Sequence, residues 1–135
     1  MAKKLIFTLL FFYLHHSFVF AQKEQCDRVY TTVEHSAFYG KKHDDMIRFI
    51  EQNFSIDTTC LDNGTPQFNS LRVKFLIDKK GNLKEIEIME PVLSNECIAS
   101  IKAIFLKMKT WTPAFQKGKP VCSYCIQNIS CFKWE

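Results

Sequence analysis

Leu71-Arg72-Val73-Lys74-Phe75-Leu76-Ile77-Asp78-Lys79-Lys80-Gly81-Asn82-Leu83 is the stretch on which the reading of the fold turns. Leu71, Val73, Phe75 and Ile77 alternate with Arg72, Lys74 and Asp78, the period of a strand with one face buried. Asp78-Lys79-Lys80-Gly81 reads as a tight turn in which glycine is free to take a positive φ. Residues 83–89 then run back as the second strand of a hairpin. Glu85, Glu87 and Glu90 lie along it, and the shared face of Glu85 and Glu87 reads as a solvated sheet face.

Downstream, Pro91 ends that strand, and Ser94 with Asn95 offers a cap for a helix. Its apolar positions are Cys97, Ile98, Ile101, Ile104, Phe105 and Met108, the best core face in the chain. Trp111-Thr112-Pro113 closes this helix, because proline disfavours the helical conformation in the residue before it. Gly118-Lys119-Pro120 turns the chain into 121–132, a third strand. Upstream, 55–69 carries Asp57, Asp62-Asn63-Gly64 and Thr65-Pro66 without a period and reads as a loop. Ahead of it, Met46, Ile47, Ile50 and Phe54 recur at helical spacing behind Asp44 and Asp45, giving a first helix over 43–54. The expected fold is α+β: a small antiparallel three-stranded sheet of hairpin, helix and final strand, packed against two helices.

The first residues read as a targeting signal. Lys3 and Lys4 precede an apolar run from Leu5 to Phe20, and Val19-Phe20-Ala21 places small residues where cleavage requires them. The run is interrupted by His15, His16 and Ser17 and is short for a membrane crossing, so cleavage after Ala21 is expected over an uncleaved anchor. Lipidation at Cys26 is not expected, since Lys23-Glu24-Gln25 before it is polar. The chain divides into a signal at 1–21, a short segment at 22–29 and one domain at 30–135. The signal takes two of the 18 basic side chains, leaving 16 against 14 acidic ones. That balance gives no argument for nucleic acid, and no membrane span is expected after cleavage.

Export places all six cysteines, Cys26, Cys60, Cys97, Cys122, Cys125 and Cys131, where disulfides persist, and at least two bonds are expected among them. Sequence does not choose the pairing. Cys122 and Cys125 have a CxxC spacing, but strand positions three apart point to opposite faces, which suits neither a zinc site nor a thioredoxin-like motif. Cys125 and Cys131 share the parity of Val121 and Ile129, so they face the helices and are candidates for buried free thiols.

Three further segments match a family. They are Val33-Glu34-His35-Ser36-Ala37-Phe38-Tyr39-Gly40, the hairpin with Asp78-Lys79-Lys80-Gly81-Asn82-Leu83, and Trp111-Thr112-Pro113-Ala114-Phe115-Gln116-Lys117-Gly118-Lys119-Pro120-Val121. Together they resemble the TonB C-terminal domain over 30–132, in a stand-alone, Bacteroidetes-like form without a membrane anchor or proline-rich linker. The resemblance gives Gly81, Trp111, Pro113, Gly118 and Pro120 structural roles. It implies a module of the periplasm or cell envelope of a Gram-negative bacterium, linked to TonB-dependent transport. Such a module captures a protein partner, such as an outer-membrane receptor peptide, by β-augmentation beside its last strand. The matching positions are Val121, Ser123, Cys125, Gln127 and Ile129. With only about a dozen residues between signal and domain, the chain is not expected to transmit force across the periplasm by itself.

No catalytic constellation is legible. His35 and His43 stand without a motif, Asp44-Asp45 reads as first-turn charge, and Gly81 and Gly118 belong to turns and not to a phosphate loop. No cofactor or metal is expected, and a non-enzymatic binding module is the leading reading. A structural domain that forms a homodimer through the same edge is the second. An exported thiol-redox protein working through Cys122 and Cys125 is the third.

Overall fold

The computed structural model describes residues 26–130. The expected signal at 1–21 and Cys131 lie outside the described residues. In chain order the elements are β1 (Val29–Tyr30), β2 (Phe38–Tyr39), α1 (Asp45–Asn53), β3 (Leu61–Asp62), β4 (Thr65–Pro66), β5 (Ser70–Ile77), β6 (Leu83–Glu90), α2 (Asn95–Phe105), β7 (Trp111–Thr112), β8 (Ala114–Gln116) and β9 (Lys119–Ser130). A 3-10 turn, Thr58–Cys60, precedes β3.

The expected three-stranded antiparallel sheet is not what forms. The chain is mixed α/β, with a curled five-stranded mixed sheet of order β1-β9-β5-β6, β8 pairing β9 off that path, and two small ladders, β2-β7 and β3-β4. β1 pairs β9 in parallel at Val29 with Cys122 and Tyr30 with Ser123, and β8 runs antiparallel to residues 119–121 of β9. The reason for the miss is length. Alternation needs several residues to register, and β1, β2, β3, β4 and β7 have two each. β8 belongs to a two-residue hairpin in which Lys117 and Gly118 both take positive φ, the backbone that matches strand twist. The 55–69 loop is likewise more ordered than expected. The Asp57 carboxylate accepts from Thr59 N–H at 2.9 Å and starts the 3-10 turn, and β3 and β4 follow.

β5 sits at the centre, paired along its length with β6 on one side and β9 on the other. Leu71, Val73, Phe75 and Ile77 project into the core, where Phe49 and Ile50 of α1 and Cys97, Ile101 and Phe105 of α2 meet them. The opposite face carries Arg72 and Lys74, with Lys74 paired to Glu87, as expected for a sheet covered on one side. α2 starts where Ser94 Oγ accepts from Cys97 N–H at 3.2 Å.

The β5-β6 turn is tied to the end of α2. The Asp78 carboxylate accepts from Lys80 N–H at 2.9 Å, from Asn82 N–H at 2.8 Å and from Asn82 Nδ2 at 3.1 Å. Trp111 N–H donates to the Gly81 carbonyl at 3.2 Å. Gly81 has φ +82°, and a Cβ there would lie 2.1 Å from the Trp111 carbonyl oxygen. The close approach of the backbone 30 positions away therefore requires glycine at 81, and the Trp111 side chain packs on Phe75 with ring centroids 5.0 Å apart. Gly81→Ala should cost about 2–4 kcal/mol, combining a left-handed backbone with a backbone clash. Gly118→Ala, with φ +74° and nothing within 4 Å, should cost about 1 kcal/mol; denaturant unfolding of the two variants ranks them.

Burial acts to raise the Asp78 pKa, but the hydrogen bonds from Asn82 and Lys80 and the charge of Lys84 outweigh it and hold the carboxyl below its ordinary 3.8. A folded-state value below the unfolded one gives stability that is present above pH about 4 and lost as pH falls through the folded value. Wild type should therefore lose stability below pH 4 more steeply than Asp78→Asn, as read by thermal melts from pH 6 to pH 2.

Candidate functional site

β9 has two long edges. One is paired with β5 from Ser123 to Ser130. On the other, β1 covers Cys122 and Ser123, and among the described residues no strand continues along 124–128. The five positions singled out from the sequence divide accordingly. Val121 is paired with Ala114 in the β8 hairpin, and Ser123 lies between Tyr30 and Ile77. Cys125, Gln127 and Ile129 oppose Phe75, Val73 and Leu71, and Cys125 and Gln127 lie on the stretch 124–128, which among the described residues has no strand on its far edge.

The side chains of Ser123, Cys125 and Ile129 are buried, and Gln127 is partly so, its Nε2 donating to Cys125 Sγ at 3.3 Å. What the open stretch offers at its edge is therefore backbone N–H and C=O groups, which are strong and obligatory hydrogen-bonding partners. Beside the end of β9 runs a groove of about 770 Å³, lined by Gln127, Asn128, Ile129 and Ser130 of that strand, by His43, and by Met46, Ile47, Ile50, Glu51 and Phe54 on and just after α1. No residue of β5 lines it. Ile47 is 59% exposed there, and Ile126, on the helix-free face of β9, is 46% exposed. Sequence reading found the apolar positions of α1 but not that they would border β9, because nothing local encodes which strand a helix lies along. Ile126 was missed as an exposed apolar residue, since alternation marks two faces without saying which is covered.

The sheet's other free edge differs in chemistry. β6 has no outer partner among the described residues and carries Lys84, Glu85, Glu87 and Glu90 within its eight residues. Charge of that density blunts an edge against pairing with another chain. Residues 124–128, Tyr-Cys-Ile-Gln-Asn, contain no charge. Of the two edges, only this one is left chemically open.

Among the described residues the cysteines form two bonds, Cys26–Cys122 and Cys60–Cys97, with Cα atoms 6.0 Å and 4.8 Å apart, while Cys125 is a buried free thiol. Its Sγ donates to the Ala37 carbonyl at 3.3 Å. Burial pushes the Cys125 thiol up, against a smaller opposing effect of the Gln127 hydrogen bond. Cys122, three residues earlier, is already bonded to Cys26, so the CxxC pair is not a dithiol. Among the described residues no group of three or more His, Cys, Asp and Glu side chains is placed to hold a metal. His43 stacks on Phe38 with ring centroids 4.9 Å apart, and His35 lies on a backbone bridge to Phe115.

Compared with family models, with curated proteins and with solved structures, the chain matches none of them. Because its thiol is buried and held in the protonated form, Cys125 should resist iodoacetamide at pH 8 in the native protein and react fully in denaturant; peptide-mapped mass spectrometry reads the site, and rapid native labelling of Cys125 would contradict the burial.

Proposed function

We propose that the chain is an exported cell-envelope binding module, related to the TonB C-terminal domain, that captures an extended peptide as an additional strand on the 124–128 edge of β9. The observation that carries this is the contrast between the sheet's two outer edges: β6 is studded with charge, whereas 124–128 is uncharged, is held in register by β5, and runs into an apolar groove at Gln127 and Asn128. An extended partner there would satisfy open backbone groups and set alternate side chains against the groove and the exposed sheet face. Two disulfides and the lack, among the described residues, of any helix long and apolar enough to cross a membrane are in keeping with an exported protein. The family resemblance adds the class of partner, an unstructured segment of an outer-membrane receptor.

Self-pairing of the same edge between two copies is the competing reading, favoured by the exposed Ile126; it differs in being concentration-dependent without any added partner. A thiol-redox enzyme has less in its favour, because Cys122 is bonded to Cys26 and Cys125 is buried.

Consecutive residues of an antiparallel strand direct their N–H groups to opposite sides. Of Ile126→Pro and Gln127→Pro, one therefore removes a donor from the β5 ladder and the other removes one from the open edge. Peptides selected from a displayed random library should bind wild type measurably by calorimetry. The proline variant that stays folded by circular dichroism should bind them at least about tenfold more weakly, a loss of one to two backbone hydrogen bonds. Full affinity in that folded variant would rule the edge out.

A further inference from the structure

The two disulfides sit in different surroundings. Cys60 and Cys97 are 1% and 0% exposed within the core. Cys26 is partly exposed, and a cleft of about 150 Å³, lined by Cys26, Arg28, Tyr30, Lys79 and Cys122 among others, opens at the Cys26–Cys122 bond. Disulfide exchange requires a thiolate to reach a sulfur. The second bond is accessible to such attack in the folded protein, and the first is sealed.

What the accessible bond holds is β1. This strand has two residues, neither of them fully buried, and among the described residues it pairs with β9 alone, at Cys122 and Ser123. Tyr30 is covered by the Arg28 guanidinium at 4.5 Å from the ring centroid and lies outside the core cluster. A two-residue pairing is too short to persist by itself in water. A covalent tether three residues away raises its effective concentration at the edge and keeps it there. β1 also occupies the edge of β9 on which 124–128 has no partner strand among the described residues, directly at the end of that stretch.

The geometry points to a redox-controlled cover: the Cys26–Cys122 disulfide is a reducible clasp that holds β1 on the binding edge, and its reduction by a dithiol frees β1 and lengthens the open edge from 124–128 to 122–128. This rests on the edge reading proposed above. One thiolate of the dithiol attacks Sγ of Cys26, the less buried of the two residues, forming a mixed disulfide and expelling Cys122 as a thiolate that takes up a proton. The second thiol, deprotonated, then attacks the mixed disulfide and releases Cys26, which is protonated in turn. The dithiol leaves as a disulfide, having supplied two electrons and two protons. The reductant is thus a dithiol oxidoreductase or a small dithiol, and the oxidised protein is the covered form.

The test follows the protein through limited reduction with dithiothreitol at pH 7, using peptide-mapped mass spectrometry for each disulfide and amide hydrogen exchange for the backbone. Cys26–Cys122 should open before Cys60–Cys97. Exchange at Val29 and Tyr30 should then accelerate at least about tenfold while Phe75 and Phe105 keep their protection. The double variant Cys26→Ser with Cys122→Ser should reproduce this without reductant. It should bind an edge-selected peptide about tenfold more tightly, the effect of two added strand residues. Simultaneous opening of both bonds, opening only as the core unfolds, a β1 that stays protected after reduction, or unchanged affinity for a peptide that a folded proline variant no longer binds would each overturn the clasp. Loss of β1 protection with no peptide bound by either form would overturn the edge reading and leave the clasp supported.

Discussion

The row Leu71, Val73, Phe75 and Ile77 on β5 is what the remaining structure is arranged around. Among the described strands β5 is the one paired on both sides along most of its length, with β9 from Ser70 to Ile77 and with β6 from Arg72 to Ile77, and its inner side chains are driven fully into the core. Phe75 meets Phe105 of α2 at 5.4 Å and Trp111 at 5.0 Å, while α1 contributes Phe49 and Ile50 to the same cluster. Both helices thus lie on one face by the same constraint: an alternating strand has a single apolar side to cover. The turn at its end is fixed just as firmly. Gly81 can approach the Trp111 backbone only because it has no side chain, and this contact aligns the end of the hairpin with the chain leaving α2.

Around that centre, covalent bonds hold what hydrophobic packing does not reach. Cys60–Cys97 joins the 3-10 turn to the first turn of α2, fastening a segment rich in turn residues to the core. Cys26–Cys122 does the same for a strand with almost nothing to bury. A bond closing a loop of this length adds about 2–5 kcal/mol, mostly by restricting the unfolded chain. In a chain of this size that is a substantial share of total stability. The same dependence makes the Cys26–Cys122 segment the part of the sheet most easily released without disturbing the rest.

The sheet's two edges express opposite demands. β6 ends the sheet with charge and stays solvated, its Glu87 paired with Lys74. β9 ends it with a neutral stretch beside α1, where Met46, Ile47 and Phe54 leave a groove unfilled. An open neutral edge is a hazard in a protein meant to remain alone, and its contrast with the charged edge on the far side of the sheet is the physical basis for the partner proposed for it.

The sequence by itself determined the hairpin, both helices and the last strand, because each spans enough residues for a period of two or of 3.6 to register. It also identified Ser94 as a cap, Gly81 as a turn glycine and Cys125 as facing the helices, since these follow from local chemistry or strand parity. It misjudged the sheet, because β1 and β8 are too short to carry a pattern and exist only through what they pair with. The partner of each cysteine, the meeting of α1 with the end of β9, and the division of the five edge positions into covered and open ones were decided by tertiary structure alone. All three depend on which segments come together in space, and contacts between residues as distant as Cys26 and Cys122 leave no trace in the spacing of either.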